Sequence, residues 1–99
     1  MAGRSRAVDY IVDQLASRGI GFVFGVDGAN IEDLFDALLA HPDITGVLAK
    51  HEFAAATMAD GYSRAGADVG AVAATAGGCA LNAIGGIGAS VADRIPVVA

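Results

Sequence analysis

A carboxylate stands at the head of the strongest helix pattern in this chain, KHEFAAATMADGYSR, residues 50–64. On a helix, positions 52, 55, 56, 59 and 63 share one face, so Glu52 lines up with Ala55, Ala56, Ala59 and Ser63. Such a stripe of small residues lets a helix approach another backbone closely, and a glutamate in that approach leaves water at a cost unless it finds a partner. Burial is expected to raise its pKa, and a carboxyl group that titrates near neutrality can pass protons. A plainer reading stands beside this one: an acidic residue at a helix start complements the macrodipole and contributes about 0.3–1 kcal/mol. His51 points about 100° away from Glu52 on the same helix and reads as a solvent-facing or interface residue rather than a base.

Two other stretches have the residue types of a binding loop. Thr75-Ala76-Gly77-Gly78-Cys79 joins an apolar run to a helical one, and its glycines suit either a tight turn or the close approach of a ligand to backbone. Gly25-Val26-Asp27-Gly28-Ala29-Asn30 sits in the same kind of place earlier in the chain. Cys79 reads as a small buried residue, because no base is placed to make it a nucleophile. No metal is expected, since the histidines and the cysteine at 41, 51 and 79 lack ligand spacing. A dinucleotide site is also disfavoured: Gly86-Ile87-Gly88-Ala89-Ser90-Val91 lacks the third glycine and lies inside a helix, where the fingerprint must open one. Asp60-Gly61-Tyr62-Ser63-Arg64 reads as a helix end with a polar tip.

The elements that position these residues alternate along the chain. Apolar residues at 7, 8, 11, 12, 15 and 16 predict a helix over 5–17, stopped by Gly19. Strand patterns follow at 20–26, 44–49, 69–75 and 95–99. Between them lie a helix ending at His41 and capped by Asn30, the helix headed by Glu52, and one over 79–92. This alternation predicts an α/β fold, a parallel sheet with right-handed crossovers. In such sheets ligands bind beyond the carboxyl ends of the strands, where the loops at 25–30, 49–52 and 75–79 all fall.

Ninety-nine residues allow one small domain, and 55% hydrophobic against 17% charged residues marks it as globular. A net charge of -5 with no basic run argues against nucleic acid. Asp9 and Asp13 interrupt the N-terminal segment before a signal peptide could form, and glycines with Asn82 break the apolar 69–99 stretch, so neither secretion nor a membrane span is expected. A single cysteine gives no disulfide framework, and a cytoplasmic location is the expectation. The sequence stops inside the apolar run Ile95-Pro96-Val97-Val98-Ala99, so the domain is expected to be incomplete.

Five stretches in order then resemble one family. They are Phe22-Val23-Phe24-Gly25-Val26-Asp27-Gly28-Ala29-Asn30, His51-Glu52 with Ala55 and Ala56, Ala59-Asp60-Gly61-Tyr62-Ser63-Arg64, Thr75-Ala76-Gly77-Gly78-Cys79-Ala80-Leu81-Asn82, and Asp93-Arg94-Ile95-Pro96-Val97-Val98. Together they resemble the N-terminal, pyrimidine-binding domain of thiamine-diphosphate enzymes of the acetolactate synthase, pyruvate oxidase and 2-oxoacid decarboxylase group. The resemblance implies a three-layer α/β/α thiamine-diphosphate-binding fold, of which residues 1–99 form the N-terminal part. It implies that Glu52 hydrogen-bonds the pyrimidine nitrogen N1' of the cofactor and favours the imino tautomer that removes the thiazolium C2 proton. Asp27, Gly28, Thr75, Gly78 and Asn82 fall at cofactor-contacting positions of the matched motifs, the first two through backbone.

The resemblance also implies a 2-oxoacid substrate, decarboxylation or carboligation, and an intact parent that is a homo-oligomer, dimeric or tetrameric. Magnesium and the diphosphate belong to a separate domain with a Gly-Asp-Gly motif. Gly25-Val26-Asp27-Gly28 has those letters but follows the first strand of the wrong domain. Whether a flavin is bound is left open. This chain departs from the family in having Asp27-Gly28-Ala29 where Pro-Gly-Gly is common, and Ala76-Gly77-Gly78-Cys79 where Ser-Gly-Pro-Gly is common. The latter brings a Cys79 side chain into the loop near the pyrimidine. The rival reading is a non-catalytic remnant or interaction module that keeps the fold.

Overall fold

The computed structural model describes residues 6–66 and 68–99. Four parallel strands form one sheet: β1 (Phe22–Gly25), β2 (Thr45–Leu48), β3 (Gly70–Ala73) and β4 (Val97–Val98), in the order β2-β1-β3-β4. Four helices alternate with them: α1 (Ala7–Ser17), α2 (Glu32–Ala40), α3 (Glu52–Arg64) and α4 (Gly78–Asp93). The predicted α/β alternation is therefore present, with strands shorter than their apolar runs because the ladder ends where the loops turn toward the helices. Residue 5, the expected start of the first helix, lies outside the described residues.

The two faces of the sheet are packed differently. On one face α1 and α2 bury Val12, Ala37 and Leu38 against Val23, Ile44 and Ala71. Burying a side chain such as Leu38 contributes about 1.5–3 kcal/mol. On the other face α3 and α4 cover Val72 with almost nothing but alanine: Ala55, Ala56, Ala59 and Ala83. The strand period of two assigns the faces, with Val23 and Ala71 on the first and Phe24 and Val72 on the second.

Local chemistry ends the helices as the sequence suggests. After α1, Gly19 adopts φ 85°, and the amides of Gly19 and Ile20 bond back to the carbonyls of Ala16 and Leu15, a left-handed helix stop. The start of α2 departs from expectation. Its cap is Ile31, without a side-chain bond, and Asn30 instead accepts from the Ala76 N–H at 3.0 Å. A loop on the far side of the sheet's centre thus competes successfully for the asparagine. At α3, His51 caps the helix, its Nδ1 accepting from the Phe53 N–H at 3.0 Å.

The expected polar tip of α3 is present, with Arg64 exposed, and it is anchored at its inner end by a buried acid. Asp60 is 9% exposed. It accepts from Arg64 Nε at 2.6 Å and from the Ser90 hydroxyl, while Arg64 also reaches Asp93 at 2.7 Å. Ser63 donates to the Pro96 carbonyl at 2.7 Å and accepts from the Gly70 N–H at 2.8 Å, joining α3 to the starts of β3 and β4.

Candidate functional site

The strand order reverses between β1 and β3: the chain moves one way from β1 to β2 and the other way from β3 to β4. A crevice opens at such a switch point beyond the carboxyl ends of the strands. Its walls here are the loops after β1 and β3. The Asn30 to Ala76 bond ties them together. Gly28 also lies so close to Thr75 that a Cβ on Gly28 would overlap the threonine hydroxyl. Gly28 is therefore required by close approach, and the Thr75 Oγ1 is buried without a hydrogen-bond partner.

Glu52 begins α3 at this same end of the sheet and is 6% exposed. The Asn82 amide, on the first turns of α4, donates to its Oε1 at 3.2 Å. The expected upward shift in its pKa is overturned. The Glu52 carboxyl is held below its ordinary value, first by its own backbone N–H and then by Asn82; burial opposes them, with smaller help from Cys79 and His51. Donors to the charged form outweigh desolvation, so Glu52 is a carboxylate at neutral pH.

The two buried acids of α3 differ in their partners. Asp60 has the Arg64 guanidinium. Glu52 forms no salt bridge among the described residues and is served only by neutral donors. A buried anion without a counter-ion is costly, and it is complementary to a ligand that brings an N–H or a positive charge.

The remaining predicted residues divide. Asp27 is exposed, accepts from the Gly28 N–H at 2.8 Å and lies at the rim of a different hollow. Gly78 opens α4 and has free space where a Cβ would stand. The turn itself needs Gly77, whose φ of 92° favours glycine. Cys79 is half-buried, as a small residue would be, and the Glu52 hydrogen bond pushes its thiol pKa up, aided by burial and the carboxylate charge. A raised pKa leaves less thiolate, so it is a poor nucleophile. Sequence reasoning missed the role of Asn30, because it depends on a contact between loops distant in the chain.

A hollow of about 420 Å³ lies elsewhere, between α2 and the β2 edge, and is lined chiefly by Phe35, Leu38, Leu39, Ile44 and Leu48. It is on the α2 face of the sheet, away from Glu52. Among the described residues no cluster of three or more His, Cys, Asp or Glu could hold a metal, and no helix is long and apolar enough to cross a membrane.

A parallel α/β sheet with a switch-point crevice and a buried, unpaired carboxylate at its rim defines a small-molecule-binding domain. Residues 5–99 match the family described as thiamine pyrophosphate enzyme, N-terminal TPP binding domain, and the chain belongs to that family. It is 42% identical over 90 residues to an acetolactate synthase large subunit of Buchnera aphidicola, covering 91% of this chain and 16% of that protein. A glyoxylate carboligase of Escherichia coli O157:H7 is 36% identical over 96 residues, 96% of this chain and 16% of that one. An alpha-keto-acid decarboxylase of Mycobacterium ulcerans is 39% identical over 90 residues, 91% of this chain and 16% of that one. The chain thus spans about one sixth of the length of these relatives, and it is a TPP-binding domain of the acetolactate synthase-like kind.

Proposed function

We propose that residues 1–99 are the N-terminal part of the pyrimidine-binding domain of a thiamine-diphosphate-dependent 2-oxoacid decarboxylase or carboligase, with Glu52 acting on the cofactor's aminopyrimidine. The observation that carries this reading is the Glu52 carboxylate: buried, at the ligand edge, and served by neutral donors alone. The residues fit the group. A carboxylate acceptor suits a ring nitrogen, the partnerless Thr75 Oγ1 offers a further polar contact, and the open space at Gly78 admits a flat ring near backbone.

Thiamine diphosphate, when bound, supplies the nucleophilic carbon that attacks a 2-oxoacid. The chain's own contribution is a proton held at one place. As a carboxylate, Glu52 would accept a hydrogen bond from the ring nitrogen when that atom carries the proton, which would favour the tautomer whose exocyclic nitrogen has given up a proton and is a base. Thr75 and the backbone at Gly28 and Gly78 would bound the ring, and Asp27 would act only through its backbone. In the full protein a second domain would hold the diphosphate and magnesium, the subunits would pair as a dimer or tetramer, and the location would be cytoplasmic.

Exchange of the cofactor C2 proton with deuterium in the full-length protein tests the role of Glu52. The expected result is a fall of about 100-fold or more in Glu52→Gln, in the range of a lost general acid-base group. Exchange at the wild-type rate would remove Glu52 from the mechanism.

A further inference from the structure

The helices α3 and α4 meet in a regular ladder. Asn82 donates to Glu52 and Ser90 donates to Asp60, each pair thirty positions apart. Between them Gly86 lies on Ala56 at the same offset, so closely that a Cβ on the glycine would stand 2.6 Å from the alanine Cβ. Both helices run in the same direction from the same sheet, so partners recur at each helical turn. Each buried acid of α3 thus meets one neutral donor of α4. At the lower rung the Arg64 guanidinium fixes Asp60 independently of Ser90. At the upper rung no cation among the described residues does this for Glu52.

Asparagine is a mediocre residue for a helix interior, because its amide competes for backbone bonds. At position 82 the residue is exposed overall, so packing does not explain it. What its side chain does is reach a carboxylate oxygen.

We propose that Asn82 is a positioning residue for Glu52: its Nδ2–H bond to Oε1 fixes the carboxylate's orientation and determines which oxygen is left for the ring nitrogen of the cofactor. This role rests on the reading of Glu52 above and replaces the direct cofactor contact expected for Asn82 from sequence. An unrestrained glutamate has three side-chain torsions to order, and a donor on a rigid neighbouring helix removes that freedom before the ligand arrives. The titratable groups that act on the Glu52 carboxylate are Cys79 from α4 and His51 at the head of its own helix.

Two measurements on the full-length protein test this. Carbon-13 NMR of the Glu52 carboxyl, assigned by its loss in Glu52→Gln and followed without cofactor, is compared for wild type, Asn82→Leu and Asn82→Asp. The midpoint is expected to shift upward in Asn82→Leu, which removes the donor, and further upward in Asn82→Asp, which adds a like charge. With thiamine diphosphate and magnesium bound, C2 exchange in Asn82→Leu is expected to fall about tenfold while cofactor Kd changes less than about threefold. Wild-type midpoints in both variants overturn the proposal, and so does a weakened Kd with unchanged exchange, which makes Asn82 a cofactor contact. The two readings fail separately. Wild-type exchange in Glu52→Gln defeats the catalytic role but not an Asn82-dependent midpoint, whereas slow exchange in Glu52→Gln with inert Asn82 variants does the reverse.

Discussion

Gly86 of α4 rests on Ala56 of α3 without room for a single added carbon: a Cβ there would also lie 3.1 Å from the Phe53 carbonyl oxygen and 3.1 Å from the Thr57 nitrogen. That contact sets the distance at which Asn82 meets Glu52 and Ser90 meets Asp60. Gly86→Ala is therefore expected to destabilise the fold by about 1–3 kcal/mol, the usual cost of overpacking, despite alanine's better helix propensity. Gly61→Ala is the matched control. Gly61 lies within α3, exposed and with free space around its Cβ position, and the change should stabilise by about 0.5–1 kcal/mol. Denaturant midpoints of the two variants check the pair, and equal effects would mean that the helices are not in tight contact at Gly86.

Glu52 affects the chemistry of Cys79 without any cofactor. The glutamate raises the thiol pKa by hydrogen bonding and by its charge, and burial acts in the same direction. The thiolate is the reactive form, so wild-type Cys79 should react slowly with iodoacetamide at mildly alkaline pH. Replacing Glu52 with Gln removes the charge, lowers the thiol pKa toward its ordinary value and should speed alkylation several-fold. Mass spectrometry of the Cys79 peptide against time provides the rate. An unchanged rate in Glu52→Gln would show that the two side chains do not interact.

The fold was legible because period-2 and period-3.6 apolar patterns are local properties. Glu52 could be placed on a buried face from Ala55, Ala56 and Ala59 alone, and at the ligand edge from strand-helix alternation. The sign of its pKa shift was not legible. It depends first on the residue's own backbone N–H and then on the Asn82 amide, whose approach is decided by how α4 packs. Asn30 had the sequence of a helix cap but bonds Ala76, since the reversal of strand order brings the loops after β1 and β3 together. Asp60 and Arg64 had the spacing of an ordinary surface pair, and only Ser90, far along the chain, reveals that the acid is buried.

Asp60 makes the acid stability of this domain predictable in sign. Its carboxyl is held below the ordinary value, first by the Arg64 hydrogen bond and then by Ser90, with burial opposing. The unfolded chain therefore takes up the proton at higher pH than the folded one. Above the ordinary carboxylate value both states are ionised and the contribution is complete; as pH falls through that value toward the depressed one, the unfolded state binds protons first and stability is lost. Glu52 has a shift of the same direction and adds to the slope. Thermal midpoints measured between about pH 2 and pH 6 should fall steeply below about pH 4 in the wild-type protein. Asp60→Asn should have a lower midpoint at neutral pH, because Arg64 loses its nearest anion, and a shallower acid limb. An acid limb as steep as that of wild type would mean that Asp60 titrates alike in the folded and unfolded chains, and the network around Arg64 would then contribute nothing to acid stability.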